Sequence, residues 1–580
     1  MLPREAPDSP LPPRQVVAWP GTARGGRSTP PPRRRPQPRR GFPARLLVLA
    51  AVPFAILALV ALGNSAYYAW TALVPAAGGR YVEAFVGQPN TLNPLLAQLD
   101  PVDREFVPLL FAGLMRTTPD GQIVPDLAER WEVAPDGRTY TFTLRAGLRW
   151  SDGTPLDAND VVFTYDALRA PDFPADPDFL APWREVRTEA LDDRTVRCTL
   201  ARPWSGFLDA ATLPLVPRQV LSGTSGSAWL RHPFNYQPVG AGPYRLLDLS
   251  AQEMVLVPNG QYHGARPHLA ELRFHFFLSG TSARDALMAG EADGALLRAT
   301  DLGALRDNPE LAVHQRPDYG RSTVLWLNTT APPFDDKTVR QAVAQAIDRA
   351  RLAAEIDRGA EAALGPLPPS SWAYAGDTAF PTYAPDRARA LLDSAGWRPG
   401  PNGERTRQGQ PLAVSLATND DPARRRAAEA VAPDLRAVGF RVQVSPRDWA
   451  ELAREELAQR DFQAVVLGQW QPATDPDALR DVWRSDGVGN LAGWQNPRAD
   501  ELLARGAATT DLAERRAAYT AFQALWADEV PSVPLYYPSL TWAVRTTFQG
   551  VDLTHLADAS QRLALLPSWY LYTTRVFRGW

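Results

Sequence analysis

Residues 130–168, RWEVAPDGRTYTFTLRAGLRWSDGTPLDANDVVFTYDAL, decide the fold. Asp136-Gly137 is a two-residue turn signal between Trp131/Val133 and the alternating Tyr140, Phe142 and Leu144, which predicts a β-hairpin with one face on a core. A second turn, Ser151-Asp152-Gly153-Thr154-Pro155, hands the chain to a helix. Asp157 is placed to cap it, because a carboxylate there accepts the free amides of the first turn. Val161, Tyr165 and Leu168 then share one helical face. The stretch is a strand–strand–helix unit, and its chemistry alone assigns no function.

Working outward, the spacing of Trp150, Asp152, Gly153, Thr154, Pro155, Ala158, Asp160, Val161 and Phe163 resembles the signature of the dipeptide/oligopeptide-binding proteins of ABC importers (solute-binding family 5). Asp157 stands where that family usually has Thr or Ala. Further stretches are similar in the same order: Leu92-Asn93-Pro94 after a first strand, Val239–Leu247 (VGAGPYRLL), Pro333–Ala342 (PFDDKTVRQA), Tyr383–Trp397 and Pro531–Tyr536. In VGAGPYRLL, Gly240 and Gly242 are expected to allow a tight bend with positive φ, and Pro243 to fix its exit. A phosphate loop is a poor reading of these glycines, since no Lys-Ser/Thr follows and GxGxxG is incomplete.

The resemblance covers about residues 81–550. It implies an α/β fold of the periplasmic-binding-protein type (type II, cluster C): a three-domain, two-lobed clamp with mixed sheets; one transmembrane helix is expected before it from the apolar run described below. Domain I is expected at 80–112, 238–320 and 531–580, domain II at 113–237, and domain III at 321–530. The resemblance also places ligand-binding residues. The loop after Pro94, with Gln98 and Asp100, is expected to reach the ligand, as is the strand of Phe462–Asp477 with Gln469, Trp470, Gln471 and Asp475. In peptide-binding relatives an acid three residues beyond that Trp meets the peptide α-amine. Here the position is Ala473, so a sugar, glycoside or modified peptide gains weight as ligand. Asp475 is the nearest acid, and it reads more easily as part of a structural Asp-Pro.

The N-terminus has a different character. Residues 1–45 hold 12 Pro and 10 Arg with only Glu5 and Asp8 as acids, a composition that cannot bury a core and is expected to be disordered. No charge stands between Arg45 and Arg80, and Leu46–Leu62 is uniformly apolar. Residues 46–74 are therefore expected to be a transmembrane signal-anchor, with Tyr67, Tyr68 and Trp70 at the far interface. The positive-inside rule puts the basic tail in the cytoplasm and the rest on the outer face of the bacterial cytoplasmic membrane.

Composition excludes several functions. Beyond residue 79 there are 51 basic against 62 acidic residues, a net of −11, which argues against nucleic acid as partner. A single cysteine, Cys198, rules out an internal disulfide framework and a lipid-modified cysteine after the apolar segment; it reads as a small buried hydrophobe. The six histidines show no paired-ligand spacing, and no GxSxG or Cys–His pattern is present. Neither enzyme, metal nor cofactor is expected. The expectation is a monomeric binding protein that passes peptides or other small polar solutes to an ABC permease by hinge closure. The alternatives are a membrane-anchored solute sensor of the same fold and a binder of an oligosaccharide, glycoside or metal chelate.

Overall fold

The computed structural model describes residues 44–118, 121–175, 177–376, 380–470, 475–554, 556 and 559–578. The chain divides into two units, Leu73–Arg575 and the remainder at the two ends. In the smaller unit the helix Ala44–Trp70 dominates. Its Pro53–Trp70 span has a mean hydropathy of 1.2 and is the one helix among the described residues long and apolar enough to cross a membrane. Phe54, Leu57 and Leu59 lie exposed on it. Most of the tail of residues 1–45 lies outside the described residues.

The large unit is built on two mixed sheets. Seven strands form the first, with Arg80–Val86 near its centre, parallel to Glu271–Phe277 and Gly294–Leu297. Six strands form the second, in which Arg321–Leu327 lies between Ala464–Trp470 and Ser532–Tyr537. Each sheet has its own packed interior. The core around Phe85, Phe106 and Phe274 continues into that of residues 113–237, whereas Trp326, Trp483 and Trp526 centre a separate one. The large unit is therefore two-lobed.

The chain crosses between the sheets at two adjacent places. Strand Leu311–Pro317 of the first sheet runs through Asp318–Gly320 into Arg321–Leu327 of the second. Strand Ser532–Tyr537 of the second returns through Pro538 to Ser539–Arg545 of the first. The return thus falls at Pro538 rather than at residue 531, because Ser532–Tyr537 pairs with Arg321–Leu327. The two crossings are bonded together: Asp318 N donates to Pro538 O at 2.7 Å. Ser539 N and Oγ donate to the Asp357 carboxylate at 2.6 and 2.7 Å.

The opening stretch folds as its sequence predicts. Ala128–Val133 and Thr139–Leu144 pair antiparallel around Gly137, whose φ is +65°. Asp157 caps Ala158–Arg169 in a capping box with Asp160, and Val161, Tyr165 and Leu168 are fully buried. Trp150 Nε1 donates to Asp160 at 3.3 Å, and Asp160 also accepts the Arg218 amide at 2.9 Å. The turn at residues 151–155 is thereby tied to the helix and to the segment beyond it. Cys198 is buried, and burial pushes its thiol up to about 12.

Gly240 and Gly242 correct one expectation. Neither has positive φ. A Cβ on Gly240 would stand 1.9 Å from Leu110 O, and one on Gly242 2.5 Å from Phe111 N. These glycines exist because the returning chain presses against the end of helix Pro101–Leu110.

Candidate functional site

Between the lobes lies a cavity of about 1050 Å³. Its wall draws on the helix Pro101–Leu110, the segment 179–214, the end of strand Ala464–Trp470, the helices Leu479–Trp483 and Pro497–Ala508, and Gln561. Trp183, Trp204 and Trp470 give it aromatic faces. Trp470 is half exposed at 51 %.

The helix Pro101–Leu110 is held firmly from behind. Arg562, fully buried, reaches Glu83 Oε1 at 2.5 Å through Nη1 and Glu105 Oε2 at 2.9 Å through Nη2. Trp542 Nε1 also donates to Glu83, at 3.2 Å. Buried ions need partners of this kind, since an isolated charge is costly to take out of water. Arg104 and Gln561, the sequence neighbours of Glu105 and Arg562, both border the cavity.

A second buried ion cluster supports the opposite wall. Arg515 donates to both oxygens of Asp475, at 2.6 and 3.0 Å, and to Asp477 Oδ1 at 2.9 Å. Its Nε donates to Gly506 O at 3.0 Å, and its guanidinium lies 5.0 Å from the Trp372 ring centre. Tyr519 donates its hydroxyl to Asp477. Burial pushes the Asp475 carboxyl up, Asp477 beside it adds to the rise, and Arg515 offsets this only in part. Arg515 itself is held above its ordinary value: burial opposes its charge, but the two carboxylates outweigh that.

The lobes touch at this cluster. Ser205 Oγ shares its one proton between Asp477 Oδ2 at 3.2 Å and Ala507 O at 3.3 Å. Its neighbour Gly206 passes so close that a Cβ there would lie 3.3 Å from Asp477 Oδ2.

The residues expected from sequence fall in different places. Gln98, Trp470 and Asp475 border the cavity. Gln98 spends its amide on Pro94 O at 3.0 Å. Asp475 is committed to Arg515. Asp100 is the N-cap of Pro101–Leu110, accepting from Val102 N at 2.7 Å and from Asn90 Nδ2 at 3.0 Å, and is not among the residues bordering the cavity. Gln469 points into the interior, 8 % exposed, with its Nε2 unpartnered. Gln471 and Ala473 lie outside the described residues. Sequence reasoning missed Arg104, Ser205, Arg480, Arg515 and Gln561, none of which sits in a local motif.

Residues 122–490 match the family described as bacterial extracellular solute-binding proteins, family 5 Middle. The chain is 32 % identical over 513 residues to Protein XP55 of Streptomyces lividans, covering 84 % of this chain and 89 % of that protein. It is 28 % identical over 522 residues to the probable ABC transporter periplasmic-binding protein SapA of Escherichia coli K12, covering 83 % of this chain and 91 % of that one. Among solved structures, the oligopeptide-binding protein AppA of Bacillus subtilis, in complex with a nonapeptide, superposes with a TM-score of 0.70 at 25 % identity, covering 86 % of this chain and 100 % of that chain.

Proposed function

Since the chain belongs to the bacterial extracellular solute-binding proteins of family 5, we propose that it captures peptides or other small polar solutes outside the cytoplasm and delivers them to an ABC permease. The observation that carries this reading is the cavity between two lobes whose backbone crossings lie side by side. Rotation at Asp318–Gly320 and Pro538 opens and closes such a cleft with little disturbance of either core. Aromatic faces and a few polar groups on the wall suit a solute with both apolar and polar parts.

Three finer points belong to the same reading. The helix Ala44–Trp70 holds the binding unit at the membrane as an uncleaved anchor, and the unit works as a monomer. Domains I and II share one lobe and domain III is the other. The protein binds and releases its solute unchanged, without catalysis.

The test is a thermal-shift screen of the full chain in detergent against di-, tri- and oligopeptides, oligosaccharides and nickel chelates. A solute that binds only the folded form raises the melting temperature by mass action. A rise with at least one class supports capture and names it. No rise with any class overturns the reading.

A further inference from the structure

Resting on the capture reading, we infer that the solute carries an anionic group, such as a carboxylate, met by Arg104 from one lobe and Arg480 from the other, and needs no α-ammonium. The charged groups on the wall differ in the hydrogen-bonding capacity left to them. Every acid bordering the cavity among the described residues has a partner, and the two buried ones, Asp475 and Asp477, are held most tightly. Asp475 and Asp477 are held by Arg515, Glu185 by Arg202 and Asp486 by Arg484; Asp209 and Asp481 also have partners. An ammonium entering the cavity would have to compete with a bidentate guanidinium for Asp475.

The arginines are not all engaged. Arg104 and Arg480 both border the cavity, and neither makes a side-chain hydrogen bond or ion pair among the described residues. The Nε of each is shielded from solvent and has no partner. With Arg515 behind them, the arginines nearly balance the acids, so selection does not come from net charge. It comes from two guanidinium groups whose donors are left over. A guanidinium so placed is stabilised most by an oxyanion, which accepts charge-assisted hydrogen bonds in the geometry of the fork. Gln561 Oε1, shielded and unpartnered on the same wall, supplies an acceptor for a neutral N–H or O–H of the same solute.

Because the two arginines come from different lobes, an anion reaching both also favours closure. A neutral solute would leave both guanidinium groups without a charge partner as the cleft closes.

The experiment uses three probes on the full chain in detergent: tri-alanine, N-acetyl-tri-alanine with a free carboxylate, and N-acetyl-tri-alanine amide. Titration calorimetry is expected to show the acetylated acid binding at least about tenfold more tightly than the amide and no worse than tri-alanine. Arg104→Gln and Arg480→Gln should each remove most of the acid's advantage. Equal binding of acid and amide, or binding confined to the free amine, overturns the inference while leaving capture intact. So does failure of the acid to bind when other solutes in the screen above do. Failure of the whole screen overturns the capture reading too. Should either substitution prevent folding, the comparison of acid with amide on the unaltered protein decides alone.

Discussion

Ser205 and Asp477, 272 residues apart in sequence, meet across the cleft at 3.2 Å. Asp477 is no free acceptor: Arg515 and Tyr519 already hold its other oxygen. The contact therefore ties one lobe to a rigid ion cluster in the other, and it forms only when the lobes are together. Ser205→Ala removes the hydroxyl without adding bulk. A single hydrogen bond of this kind is worth about 1 kcal/mol, so solute affinity is expected to weaken roughly fivefold by mass action on the closed state. Calorimetry with the tightest solute from the screen, beside small-angle scattering of the unliganded protein, measures it. An unchanged dissociation constant would show that the contact contributes nothing to closure.

The glycines of the VGAGPYRLL segment give a sharper outcome. A methyl group on Gly240 would overlap Leu110 O at 1.9 Å, and the backbone on both sides is packed. Gly240→Ala is expected to destabilise by about 3 kcal/mol or more through forced backbone shifts. Gly260, in a nearby turn, has nothing within 4 Å of the same position. Gly260→Ala should lie within about 1 kcal/mol of the parent. Urea unfolding of both variants checks the pair, and similar losses would show that the close approach is not what fixes Gly240.

These cases mark what the sequence can and cannot convey. The hairpin at Gly137 and the cap at Asp157 were legible because their cause is local: turn geometry and first-turn amides lie within a few residues. Gly240 and Gly242 were legible as constrained, but the constraint lies on Leu110, over a hundred residues away, so positive φ was the natural and mistaken explanation. Trp470 at the end of a strand could be placed beside the cavity from the motif. Asp475 could not be seen to be spent, because Arg515 lies 40 residues downstream in a helix with no motif of its own. Arg104 and Arg480 stand apart only in the folded chain, where both line the cavity with a shielded Nε that has no partner among the described residues.

Asp103 gives a pH dependence. Burial pushes its carboxyl up from 3.8 to about 6; the Asn90 amide at 2.6 Å pulls it back, and the charge of Asp100 adds to the rise. Its folded value thus exceeds its unfolded one, so the folded chain holds the proton more tightly. This group's contribution to stability is full below about pH 4 and is lost as pH rises through about 6. Asp103→Asn keeps a carbonyl to accept from Asn90 and removes the titration. Melting temperatures of both proteins from pH 4 to 7 should show the variant gaining on the parent as pH rises. A constant difference across that range would mean that Asp103 does not titrate there.

Arg562 poses the strongest test of how the cavity wall is held. Its guanidinium is fully buried between Glu83 and Glu105 and lies 4.9 Å from the Trp542 ring centre. Burial opposes its charge, yet Glu105 and then Glu83 hold it above its ordinary value. Arg562→Met retains the volume and leaves Glu83 without its cation in a dry interior. Removing one partner of a buried pair costs about 3–5 kcal/mol, and here two carboxylates lose the same one. The loss should be smaller at pH 5 than at pH 8, because a stranded carboxylate escapes its penalty by taking up a proton. Adding Glu83→Gln should recover part of the stability at pH 8, since the amide keeps an acceptor for Trp542 Nε1 without the charge. Chemical denaturation of the two variants at both pH values measures this. Equal losses at pH 5 and 8, with no recovery in the double variant, would mean that Arg562 acts through packing alone and that the ion pairs do not set the position of helix Pro101–Leu110.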